Sequence, residues 1–203
     1  MDNLATWNIR GMNKASKNKE ATNFCRQHNI GILGPLKTKV KVHTYTALHT
    51  RYWSNWESHI NLGAHPNDRI WLLWRNESYI LTLVSSSSQV VYCQVMCLYL
   101  STMFFLSVVY AFNSTQERVE FWEELKEQAK RAQGPWIVLG DFNYVFKAEK
   151  RIGGSYVTTQ EIRDFANWTH SCGLLDLRWK GSKFSWNNKH AIEDRIYSKI
   201  HRA

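Results

Sequence analysis

The stretch Trp136-Ile137-Val138-Leu139-Gly140-Asp141-Phe142-Asn143 decides how this chain is read. Four apolar residues make a short strand that needs cover on both faces of a sheet. Gly140 ends the run, so Asp141 and Asn143 fall at its carboxyl end, where α/β proteins collect functional side chains. Taken alone, Gly-Asp-x-Asn is also plain turn chemistry, because Asp and Asn cap loops locally. Reading upstream, Gly134-Pro135 stops a helix that opens at Ser114 with Glu117 three residues on, a capping box. That helix is expected to run to about Ala132 and to bury Val119, Trp122, Leu125 and Ala129. Before it lie four strand-like runs, Arg69 to Trp74, Ile80 to Val84, Val90 to Leu100 and Met103 to Phe112, so nearly continuously apolar that both faces should be covered.

Further out, Leu4 to Ile9 reads as a strand stopped by Arg10-Gly11. Ser16 to His28 reads as a helix with Ala21, Phe24, Cys25 and His28 on one stripe, and Ile30 to Leu33 as a strand broken by Gly34-Pro35. Tyr45 to Leu62 is aromatic and irregular. Downstream, Thr158 with Glu161 forms a second capping box for a helix ending at Gly173, and Phe184 to Trp186 and Arg195 to Ile200 read as the last strands. No repeat, low-complexity tract or linker interrupts this order, so residues 1–203 are expected to form a single domain: an α/β sandwich of two sheets with helices outside.

Composition narrows the function. Lys and Arg number 26 against 17 acids, a net charge of +9, which points to a polyanionic partner. Ten Trp need two-layer packing or a working surface. The four Cys contain no CxxC pair, and Cys93 and Cys97, four apart in a strand, would stand about 13 Å apart, too far for a disulfide or shared metal. They read as buried free thiols in a reducing compartment. No signal or transit pattern and no membrane-length apolar run is found, so an intracellular protein of nucleus or cytoplasm, a monomer without membrane contact, is expected.

Three polar clusters sit where strands end: Trp7-Asn8-Ile9-Arg10-Gly11, Tyr110-Ala111-Phe112-Asn113 and Gly140-Asp141-Phe142-Asn143. Two Asn, a Tyr and an Asp converging there suit a phosphodiester: Asn holds a phosphate oxygen, a carboxylate orients water, and Tyr donates in the transition state. Basic residues flank these clusters. Lys37, Lys39 and Lys41 form one run, Lys147, Lys150 and Arg151 a second, and Lys180, Lys183 and Lys189 a third. Each reads either as solvated loop charge or as phosphate contact. Arg10, Asn113 and Arg202 join the candidate phosphate contacts, and Trp53 and Trp56 either stack on bases or pack in the core.

Together WNIRG, ILGPLKTK, DRIWLLW, VVYAFN, WIVLGDFN, RIGGSYV, GLLDLRWKGSKFSWNN and RIYSKIHRA resemble, across the whole chain, the plant LINE-type non-LTR retrotransposon endonuclease domains of the endonuclease/exonuclease/phosphatase (DNase I-like) superfamily. The resemblance implies a four-layer fold, Mg²⁺-dependent hydrolysis of phosphodiesters and a DNA partner, with RNA a further possibility, held through backbone phosphates. By position, Asn8 resembles the metal- and phosphate-proximal Asn, Tyr110 the phosphate donor, Asp141 the carboxylate that orients the nucleophile, with a share in the metal site, and Asn143 its phosphate-binding companion. Trp186 falls where the family lines its DNA-facing cleft.

The sequence departs from that pattern at three places. Lys37 stands where the family motif ILGLLETK has its metal-binding Glu; His201 stands where SKIDR has its Asp; and the family's last strand, with its Ser-Asp-His triplet, lies beyond Ala203. Mg²⁺ rests on one or two carboxylates. An ammonium about 4 Å from a unit positive charge repels it by roughly 4 kcal/mol at an effective dielectric near 20. The remaining histidines, in helix or loop contexts, offer no substitute for the lost one. The expectation is a nuclease-fold domain that binds nucleic acid with its endonuclease activity impaired or lost. Two alternatives stand beside it: an active Mg²⁺ endonuclease rescued by Asp176 or Glu149, and a non-catalytic module that binds protein or RNA.

Overall fold

The computed structural model describes residues 2–61, 70–112, 115–143, 151–153, 159–177, 186–198 and 201–202. The chain divides into two compact units, residues 1–110 with 134–140, and residues 111–133 with 141–203.

In the first unit, β1 (Asn3–Asn8) leads to α1 (Ala15–Gln27), β2 (Ile30–Leu36), α2 (Val42–Tyr52), β3 (Trp56–Ile60) and β4 (Trp71–Arg75). These strands order as β1-β2-β4-β3, with β1 and β2 parallel and the other pairs antiparallel. Next come β5 (Tyr79–Ser86), β6 (Val90–Cys97), β7 (Thr102–Tyr110) and, after an excursion into the second unit, β8 (Trp136–Asp141), whose last residue belongs to that unit. They follow the order β8-β7-β6-β5. One core fills the space between the sheets: Ile32, Leu36, Ile70 and Leu72 from the first meet Val91, Cys93, Val95, Leu106, Val108 and Leu139 from the second. The opposite face of the first sheet buries Leu33, Trp71 and Leu73 against Ala21 and Cys25 of α1 and against Trp53 just past α2. β1, β2 and β4 thus turn side chains to two different cores, as alternation along a strand allows, while β3 adds only to the second. The two-sheet α/β architecture expected from the sequence is the one observed.

In the second unit, α3 (Thr115–Arg131) and α4 (Thr159–Ser171) share an aromatic cluster. Phe121, Trp122, Phe142, Phe165 and Trp168 are all buried, with Trp122 and Trp168 ring centroids 4.8 Å apart and Phe165 stacked on Trp168 at 5.7 Å. Gly173, at φ +64°, closes α4 through bonds from its own N–H to the His170 carbonyl and from Leu174 N–H to that of Thr169. Short strands β9 (Arg151–Ile152), β10 (Trp186–Asn187) and β11 (Tyr197–Ser198) form a sheet in the order β10-β11-β9, and β12 is His201–Arg202.

Several local expectations are corrected. Of the stretch 45–62 expected to be irregular, the described residues 45–61 are mostly regular: α2 and β3 occupy most of them, because Tyr45, Leu48, Tyr52 and Trp56 pack against the core under β4. β2 is not broken at Gly34-Pro35. β4 registers only against Ile32 and Leu33 and touches again at Leu36, so the N–H that Pro35 lacks has no β4 partner to lose. Val119 is 60% exposed, since the buried stripe of α3 runs through Phe121, Trp122, Leu125 and Gln128, and six residues before Leu125 is about 120° off that line. His28 caps α1 and is exposed, while Asn18 takes a place on the buried stripe. β5, at the edge of its sheet, is not covered on both faces: Ile80, Leu83 and Val84 are exposed. His59 sits on a strand. The four thiols are free as expected; burial pushes those of Cys25 and Cys93 up to about 12, and Cys172 is half-buried. Ser114, Thr158 and Phe184 lie outside the described residues. No helix among the described residues is long and apolar enough to cross a membrane.

Candidate functional site

In the first unit the site begins where two parallel strands end together. Asn8, last residue of β1, is the register partner of Leu36, last residue of β2, so Asn8 and the following Lys37 leave the same edge of the sheet. The two chains then run on as paired loops. Gly11 N–H donates to the Lys37 carbonyl at 3.0 Å and Met12 N–H to the Thr38 carbonyl at 2.7 Å, while the Asn13 amide donates to the Lys39 carbonyl. Arg10, Lys37 and Lys39 all take left-handed backbone conformations, φ +54°, +55° and +53°. Each costs roughly 1–2 kcal/mol for a residue with a Cβ. Such conformations persist only where surrounding structure over-determines them, and here the loop-to-loop bonds do so.

Buried side chains pin this pair of loops from below. Asn18, fully buried in α1, donates to the Met12 carbonyl at 2.6 Å and the Lys14 carbonyl at 3.2 Å, and accepts from the Trp53 indole N–H at 3.0 Å. Asn13 Oδ1 accepts from the Thr44 hydroxyl at 3.3 Å. Neither Asn stood out in the sequence; the one available signal was the spacing Asn18, Ala21, Cys25, which puts a polar residue on an apolar stripe. Trp53 is 1% exposed and edge-on to Trp56 and Trp71, so it cannot stack on a base. Trp56 is half-buried and already carries the Arg75 guanidinium 5.6 Å over its ring.

Among the described residues of the first unit, the charge at this edge is positive. Arg10 and Lys39 are exposed and Lys37 half-buried, and none makes an ion pair among the described residues, where Lys17, Lys126, Lys130 and Arg75 each have a carboxylate within 4 Å. No described carboxylate of the first unit lies at this edge: Asp2 precedes β1, Glu20 is in α1, Glu57 is the second residue of β3, opposite Trp74, and Glu77 is in the β4–β5 turn. No group of three or more His, Cys, Asp or Glu able to hold a metal occurs among the described residues. One amide and an ammonium leaving the same sheet edge are a poor donor set for Mg²⁺, whose sites rest on carboxylates. The described residues of the first unit do not fit the ion. Tyr110, the end of β7, is 5% exposed and belongs to the core between the sheets, with its N–H on the Gln89 carbonyl at 2.8 Å.

Gly140 explains the Gly of Gly-Asp. At φ +148° a Cβ there would fall into the Val109 carbonyl oxygen, so the close approach of β7 excludes any side chain. In the second unit Asp141 is 1% exposed. Its Oδ1 accepts from Asn143 N–H at 3.0 Å, its carbonyl accepts from Ala111 N–H at 2.9 Å, and the Asn143 amide donates to the Ala111 carbonyl at 2.6 Å. Asn143 is itself left-handed at φ +49°. The local turn that the sequence allowed is therefore built, and it fixes Asp141 and Asn143 to one another. Asn187 and Asn188 are likewise engaged in turn bonds, to Lys189 N–H and to His190 N–H, Ile196 N–H and the Asp194 carbonyl. Lys41 and Lys189 are exposed, as is Asp176. Asn113, Lys147, Glu149, Lys150, Lys180 and Lys183 lie outside the described residues, and the side chains of Arg151, Trp186, His201 and Arg202 are likewise not described.

No protein-family model and no curated protein matches this sequence. Solved structures do match. The endonuclease domain of TRAS1, a telomere-specific non-LTR retrotransposon, superposes with a TM-score of 0.70 at 12% identity over 98% of this chain and 81% of its own. D. rerio TDP2 complexed with single-strand DNA product gives 0.63 at 12% identity, over 98% and 81%. An endonuclease/exonuclease/phosphatase family protein from Bacteroides thetaiotaomicron gives 0.55 at 14% identity, over 81% and 67%. At such identities the likeness is one of fold, and the fold is the DNase I-like one.

Proposed function

We propose that this chain is a retroelement-derived nuclease-fold domain that binds nucleic acid through backbone phosphates and has lost most or all of its endonuclease activity. The observation that carries the reading is Lys37. It follows the residue registered with Asn8, at a sheet edge whose two loops, residues 9–14 and 37–41, hold five cations and no carboxylate. The retrotransposon endonuclease domain and the DNA-bound protein of the same fold support the class of partner. A basic surface adds affinity for phosphates without reading bases.

The residues that remain have definable roles in holding a phosphodiester. Arg10 and Lys39 contribute long-range attraction and direct charge-assisted bonds. Asp141 and Asn143, locked by their mutual turn, would present an oriented carboxylate and amide. Orienting a water is useful only where charge developing on the phosphoryl oxygens is also stabilised. With Lys37 in place of a metal-holding carboxylate, that stabilisation falls short of what hydrolysis needs.

Incubating the purified chain with supercoiled plasmid and Mg²⁺ tests this. Plasmid retention on the protein without conversion to the nicked form is expected. Nicking that disappears in Asp141→Ala would establish an active endonuclease instead.

A further inference from the structure

The unpaired cations at the β1/β2 edge go further than a failed metal site. We infer that Lys37 makes the paired loops a metal-independent phosphate-binding site, its ammonium supplying the single net positive charge that a carboxylate holding a divalent ion would otherwise supply. The inference rests on the reading that the chain binds nucleic acid.

The charge arithmetic comes first. A carboxylate with a divalent cation nets one positive charge, and so does one lysine, but the lysine brings its charge covalently, in any buffer. Geometry comes second. The carbonyls of Lys37, Thr38 and Lys39 all accept bonds from the Gly11–Asn13 loop, and Asn18 and Asn13 fasten that loop to α1 and α2, so the backbone bearing the cations is fixed before any ligand arrives. A preorganised site has less ordering entropy to lose on binding. The third point is the missing counter-charge. Five cations, Arg10, Lys14, Lys37, Lys39 and Lys41, lie within the two short loops, and none makes an ion pair among the described residues. Neighbouring like charges repel, and a polyanion that bridges them removes that repulsion. A phosphodiester fits: its non-bridging oxygens accept from ammonium and guanidinium donors.

The test is fluorescence anisotropy of a labelled DNA oligonucleotide against the unaltered chain, Lys37→Gln and Lys37→Arg, each titrated with salt in EDTA and again with Mg²⁺ at matched ionic strength. The unaltered chain should bind equally well in EDTA. Lys37→Gln should lower the slope of log affinity against log salt by about one, and Lys37→Arg should keep the parental slope. A several-fold loss of affinity in EDTA, or a Lys37→Gln slope equal to that of the unaltered chain, overturns the inference while nucleic-acid binding stands. Absence of binding by the unaltered chain in both buffers overturns the proposed function, and this inference with it. Matching thermal melts of the three proteins exclude misfolding as the source of a changed slope.

Discussion

Asn18 shows how much of the site depends on a residue that touches no ligand. Its amide joins Met12, Lys14 and Trp53 in the interior, so removing it orphans a buried indole N–H and a buried carbonyl. Asn18→Ala should destabilise the chain by about 1–3 kcal/mol, the usual penalty for stranded buried polar groups, and a urea titration measures it. Asn23→Ala, on the exposed side of the same helix, should change little; equal effects would show that Asn18 is a bystander. Only its place on an apolar stripe marked this residue in the sequence, because its importance lies in partners six and thirty-five positions away. Asp141 and Asn143 were legible because a strand followed by Gly-Asp-x-Asn announces itself locally, and their turn is made of residues two apart. Lys37 was legible as an anomaly only against a resembling family; its left-handed backbone was not, since that conformation is imposed by Gly11 and Met12 across the loop pair.

The elements divide along the same line between local and remote causes. α1, α3, α4 and the β6–β7 hairpin follow from period and stop signals carried in their own residues. β2 and α2 do not. Gly34 reads as a breaker, yet it sits mid-strand because the second sheet comes so close that a Cβ there would lie 2.8 Å from Val108 Cγ1. Gly34→Ala should therefore cost about 1–3 kcal/mol by overpacking. Adding Val108→Ala should return part of that cost, a coupling that a double-mutant cycle reads out; strict additivity would place the strain elsewhere. β3 and β5 meet through His59, whose Nε2 lies 3.2 Å from the Ser86 hydroxyl. Burial holds the His59 pKa below its ordinary 6.5, so the folded chain resists a proton that the unfolded chain accepts. That term stabilises the fold fully above about pH 6.5 and is lost as pH falls through the window below it. The urea midpoint should drop between about pH 7 and pH 5.5, and His59→Gln should flatten the drop; an unchanged slope in the variant would assign the acid sensitivity to other groups.

At the scale of the molecule, the order of strands and helices was enough to give a two-sheet α/β architecture, and the structural likeness to a retrotransposon endonuclease domain agrees with it despite 12% identity. Apolar patterning survives where identity does not, because the cores on either side of the first sheet need only volume and alternation. The proposed function rests instead on a few charges at strand ends, with Lys37 the one that would keep a divalent cation from sitting there. Titrating the unaltered chain with Mn²⁺, a spectroscopically visible stand-in for Mg²⁺, while following the free ion by electron paramagnetic resonance puts that claim to its most direct test. The account predicts no binding that depends on Asn8, with identical curves for the unaltered chain and Asn8→Ala. A saturable Mn²⁺ site present in the unaltered chain and abolished by Asn8→Ala would contradict it.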